Sequence, residues 1–67
     1  MPFRNETQFS TADITEMTAA YDSVVAHLKL TADDPRRGQL VSLIVQLAKA
    51  GVVDADKLAN QARAGLK

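Results

Sequence analysis

His27 is the one imidazole of the chain, so it is the first place to look for chemistry. A catalytic histidine needs a nucleophile to deprotonate and a third group to orient it. Ser23 lies one helical turn before His27 and Thr31 lies shortly after it, but no orienting group follows at a helical spacing. The plainer reading is a partly exposed residue near a helix C-terminus, where a protonated imidazole meets the negative end of the dipole. Two pairs of carboxylates, Asp33/Asp34 and Asp54/Asp56, raise the question of metal binding. A calcium loop spreads its ligands over about twelve residues, with a central Gly and a closing Glu. Neither pair has that context, and both read as helix N-caps and first-turn acids. The chain has no Cys, which removes thiolate metal sites and disulfides. There is no Gly-rich phosphate loop, nucleophile elbow or zinc-ligand spacing. No catalytic, cofactor-binding or metal-binding residue is expected, and the chain reads as a non-enzyme without a cofactor.

Arg36 and Arg37 are the charges that break a pattern. They fall in the first turn of a helix, at the positive end of its dipole, at a cost of up to about 1 kcal/mol each. Two guanidiniums beside free helix N–H groups suit a phosphate or carboxylate, which makes this pair the possible anion contact. Neutralisation by Asp33 and Asp34 at the surface is the ordinary explanation. The segment QLAKAGVVDADKLANQARAGLK has the outline of a helix-turn-helix, with Lys57, Asn60, Gln61, Arg63 and Lys67 facing a groove. Against that, Ala48 and Gly51 are one residue closer than the usual A-x-x-x-G spacing, and Asp54 and Asp56 would repel phosphates. Formal net charge is zero, so the basic footprint of a nucleic-acid binder is absent.

Three helices must position these groups. The first is predicted from Thr11 to Leu28 or Lys29. Ser10 is its N-cap, with Asp13 three residues on, and Phe9 and Ile14 are at the spacing of a hydrophobic staple. Ile14, Met17, Tyr21, Val24 and Leu28 step by three and four, which makes a continuous apolar seam. The second helix is predicted from Pro35 to Ala50, with Asp34 as N-cap, Pro35 at N1 and Gly51 just past its end. Its apolar residues Leu40, Val41, Leu43, Ile44, Val45, Leu47 and Ala48 cover an arc of roughly 200°. Leu43 and Val45 stand at opposite margins of that arc, so one neighbouring helix cannot bury both. The third helix is predicted from Ala55 to Gly65, N-capped by Asp54, with a thin inner face of Ala55, Leu58, Ala59, Ala62 and Leu66. Residues 1–9 read as an irregular arm before a single helical domain over 10–67.

The chain is 67 residues long, near the lower limit for folding without disulfides, metal or a partner. The longest apolar stretch, Leu40–Val53, is interrupted by Ser42, Gln46 and Lys49, well short of the roughly 20 residues that span a bilayer. The opening MPFRNETQFS lacks the apolar run of a secretory signal. Charge is unevenly divided: residues 1–28 carry net −3 and residues 29–67 carry net +3, an asymmetry suited to registering helices or subunits. Together these features predict an all-α three-helix bundle completed by homodimerisation, in the cytoplasm. Tyr21, Val24, Leu28, Leu40, Leu43, Ile44 and Leu47 are the expected core or interface residues. The expected partner is a second copy or another protein, with neither nucleic acid nor membrane.

Three segments carry a resemblance: M-T-A-A-Y-D in the first helix, D-D-P-R-R opening the second, and L-I-V-Q-L-A-K-A-G closing it. Over most of residues 9–66 the sequence resembles short bacterial helical proteins of unknown function. The resemblance implies three helices and a bacterial cytoplasmic setting, and it transfers no functional residue. The function expected from the sequence is a non-enzymatic helical interaction or small regulatory module. The alternatives are a weak nucleic-acid binder and an anion or small-ligand site at Arg36/Arg37.

Overall fold

The computed structural model describes residues 9–66, so the expected arm over 1–9 lies outside the described residues except for Phe9. Among the described residues there are three helices: α1 (Thr11–Leu28), α2 (Arg36–Lys49) and α3 (Ala55–Gly65). Each packs against both others, giving the all-α three-helix bundle expected from the periodicity. The long dimension is 28 Å, about the length of α1 alone at 1.5 Å per residue. No helix among the described residues is long and apolar enough to cross a membrane.

Local chemistry sets where each helix begins and ends. Ser10 is extended, and its hydroxyl oxygen accepts a hydrogen bond from Asp13 N at 3.1 Å, so α1 has its side-chain cap. Its end is unusual, because Lys29 takes the left-handed conformation with φ 54°. Leu30 N then returns to Val25 O at 3.0 Å, the six-to-one closure of a Schellman turn. Leu30, just beyond the predicted helix, is carried into the core by that closure and is 5% exposed.

Regular α2 hydrogen bonding begins one residue later than the prediction from Pro35. Pro35 already has helical torsions, φ −62° and ψ −20°, and lacks an N–H in any case. Asp34 caps the turn from its side chain, its Oδ1 accepting from Arg36 N at 2.9 Å. At the other end, Gly51 has φ 100°. Val52 N donates to Leu47 O at 2.9 Å and Gly51 N to Ala48 O at 3.0 Å, a complete Schellman closure. Asp54 occupies the N-cap position of α3 with extended torsions but makes no side-chain cap bond. Its backbone carbonyl accepts from Leu58 N at 2.8 Å.

The core lies where the three inner faces meet. α1 contributes Met17, Ala20, Tyr21 and Val24, α2 contributes Leu40, Ile44 and Ala48, and α3 contributes Leu58, Ala59 and Ala62. Leu40 and Ile44 are fully buried, and each such side chain is worth about 1.5–3 kcal/mol. The alanines of α3 bury little area but let its backbone come close. Gly65 serves the same end, since a Cβ there would lie 3.2 Å from both methyl carbons of Leu43. Thr18 Oγ1 is buried without a hydrogen-bond partner among the described residues.

Lys29 holds a conformation that costs a side-chain-bearing residue about 1–2 kcal/mol. Lys29→Gly is therefore expected to stabilise the fold by about 1 kcal/mol and raise Tm by about 4–8 °C in a thermal melt. An unchanged or lower Tm would show that the left-handed residue carries no strain.

Candidate functional site

The start of α2 is where the charges that violate the dipole rule gather, and the fold separates them. Arg36 turns back on its own cap: Nε donates to Asp34 Oδ1 at 3.1 Å and Nη2 to Asp34 Oδ2 at 2.8 Å. This is a two-point guanidinium–carboxylate pair. Arg37 turns inward instead. Its Nε donates to the Tyr21 hydroxyl at 2.9 Å, and its guanidinium carbon lies 5.6 Å from the Tyr21 ring centroid, within cation–π range. A buried tyrosine thus has its polar end satisfied across the α1/α2 contact.

The expected anion contact at Arg36/Arg37 is altered by this arrangement, because the two guanidiniums do not converge. The helix N–H groups beside them are also engaged, Arg36 N by Asp34 Oδ1 and Arg37 N by Asp34 O at 3.0 Å. What Arg36 does meet is a depression of about 300 Å³ shared with His27, Leu28, Arg63 and Leu66. Here the C-terminal ends of α1 and α3 come up to the start of α2. The sequence does not signal this meeting of His27, Arg36 and Arg63, which lie on three different helices.

The apolar candidates divide into two sets. Tyr21, Val24, Leu40 and Ile44 are buried, whereas Leu28, Leu43 and Leu47 are half-buried and packed against the core. The two margins of α2 also part company. Leu43 lies against Gly65 of α3, which closes one edge. Val45, about 160° away around the helix, is half-buried together with Val41 one turn earlier. Arg37 shows that α1 lies on this second side, since it reaches Tyr21 and precedes Val41 by four residues. On α1, Ile14, Thr18 and Val25 follow the flank next to Tyr21 at helical spacing, and Ile14 and Val25 are likewise half-buried. The outer rim of the α1/α2 seam therefore carries β-branched side chains from both helices.

The helix-turn-helix outline has a less suitable outer face. Lys57, Asn60 and Gln61 are exposed, with Asp54 and Asp56 beside them at the start of α3. Arg63 Nη2 donates to Asn60 Oδ1 at 3.0 Å, which ties two of the proposed groove-facing residues together. No group of three or more His, Cys, Asp or Glu able to hold a metal ion occurs among the described residues.

The hydrogen bonds from the Arg36 guanidinium, and then from its backbone N–H, hold the Asp34 carboxyl below its usual value. Between the folded and unfolded values only the unfolded chain binds the proton, so stability falls as pH falls through that window. The contribution is complete above the ordinary carboxylate range and is lost on further acidification. Asp34→Asn is expected to flatten the acid limb of a Tm-against-pH profile below about pH 5. An acid limb of unchanged slope would contradict the Asp34–Arg36 account.

Compared with protein-family models, curated proteins and solved structures, the chain matches none, so its own surface chemistry carries the functional reading.

Proposed function

We propose that this protein is a non-enzymatic helical interaction module that acts as a homodimer through the outer rim of the α1/α2 seam. The observation that supports this reading is the unfinished burial of α2. Among the described residues, eleven hydrophobic side chains form the buried core, and another eleven pack against it only partly buried, four of them on α2: Val41, Leu43, Val45 and Leu47. Leu43 has found Gly65, but Val41 and Val45 of α2, like Ile14 and Val25 of α1, remain only half-buried. β-Branched residues in such a row complete their burial when a second apolar surface covers them. A second copy presents the same row, and a two-fold axis through it makes an isologous contact. Covering these side chains also supplies the stability that a chain of 67 residues gains with difficulty from its own core.

A bacterial cytoplasmic setting, which the resemblance implies, accompanies this reading, and a small regulatory or adaptor role would follow from the interaction surface itself. The charged outer faces then remain for other partners. Sedimentation equilibrium tests the dimer directly. The wild-type chain is expected at twice its 7.2 kDa mass at micromolar concentration. Val45→Glu is expected to return it to monomer while leaving the helical circular dichroism spectrum in place, because this side chain is not buried in the core. A wild-type chain that stays monomeric to about millimolar concentration would contradict the proposal.

A further inference from the structure

The depression where the three helix ends meet has the composition of a ligand site. It holds about 300 Å³ and is lined by His27, Leu28, Arg36, Arg63 and Leu66. Three basic side chains from three helices stand around two leucines. His27 and Arg63 close the last turns of α1 and α3, where the dipole favours a cation, whereas Arg36 stands at the start of α2 and has no such reason to be there. Val25 O of α1 already accepts backbone N–H groups from the closing turn, and Ala62 O of α3 accepts from Leu66 N at 3.1 Å. Neither carbonyl depends on the basic side chains for a partner. Asp34 engages one edge of the Arg36 fork through Nε and Nη2, and Asn60 takes Nη2 of Arg63. Among the described residues, Nη1 of both arginines and both ring nitrogens of His27 make no hydrogen bond to protein. Among the described residues, the one carboxylate paired with these groups is that of Asp34, against two guanidiniums and an imidazole.

We infer that this depression binds a small amphipathic anion, a phosphate monoester or carboxylate attached to a compact apolar group. The headgroup is held by Arg36, Arg63 and His27, and the apolar part rests on Leu28 and Leu66. Arginine suits this role because its planar fork matches the geometry of phosphate and carboxylate oxygens. The size also fits: a cavity of about 150 Å³ accepts a benzene ring, so twice that volume leaves room for a headgroup. The site is separate from the rim assigned to the dimer.

Phenyl phosphate is the probe, titrated into the protein and followed by the backbone amide and His27 ring resonances. Saturable shifts are expected at His27, Leu28, Arg63 and Leu66. Arg63→Gln, in a protein whose thermal melt is retained, is expected to weaken binding about tenfold, the worth of one charge-assisted hydrogen bond. Arg63→Lys, which keeps the charge without the fork, gives a smaller loss. Inorganic phosphate binds about tenfold more weakly than phenyl phosphate, because it leaves the leucines uncovered. Absence of saturable shifts to about 20 mM would overturn the inference. So would binding unchanged in both Arg63 variants, benzyl alcohol bound as tightly as phenyl phosphate, or inorganic phosphate matching the ester.

Discussion

Everything in this fold depends on one stripe of α2. Leu40, Ile44 and Ala48 recur every four residues, and all three are buried. Because α2 touches both other helices, those side chains are the common floor on which α1 and α3 rest. An 11-residue helix such as α3 is marginal alone in water. Its inner face of Leu58, Ala59 and Ala62 gains its stability from that floor. The small side chains of α3 matter for distance: they let its backbone approach until Gly65 meets Leu43.

The same helix explains the unusual chemistry at its start. Two arginines at a positive dipole end need compensation, and the chain supplies it in two ways. Asp34 pairs with Arg36 and also accepts its backbone N–H, so one carboxylate serves as cap and counter-ion. Tyr21 receives Arg37, which ties α2 to α1 and gives the phenol a donor within the bundle. Both arrangements consume guanidinium donors without exhausting them. The end of the bundle therefore keeps a basic, partly apolar surface, while the α1/α2 rim keeps an apolar one. The functional proposals rest on these two remainders.

Much of the fold was legible because it is local. The Ser10 cap, the position of Gly51 after α2 and the three-four periodicity of Met17, Tyr21 and Val24 are short-range signals, and each has its counterpart in the structure. Leu30 was missed because it follows the helix. The signal for it was an apolar residue just after a left-handed turn, but Lys at that turn gives none of the warning that Gly would. Asp54 has the right residue type at the right position, yet its side chain makes no cap bond, which composition alone does not reveal. The site was less legible still. Adjacent arginines suggested one anion contact, but neighbours in a helix point about 100° apart. Arg36 and Arg37 accordingly reach different partners, and the gathering of His27, Arg36 and Arg63 appears only once three helix ends are brought together.

The central claim is that α1, α2 and α3 stand or fall together on the α2 stripe. Native-state hydrogen exchange at increasing denaturant tests it by comparing the amides of Val24, Ile44 and Ala62. The account predicts one opening free energy and one denaturant dependence for all three, the behaviour of a single cooperative unit. Early exchange of Ala62 through an opening confined to α3, with Val24 and Ile44 still protected, would contradict it.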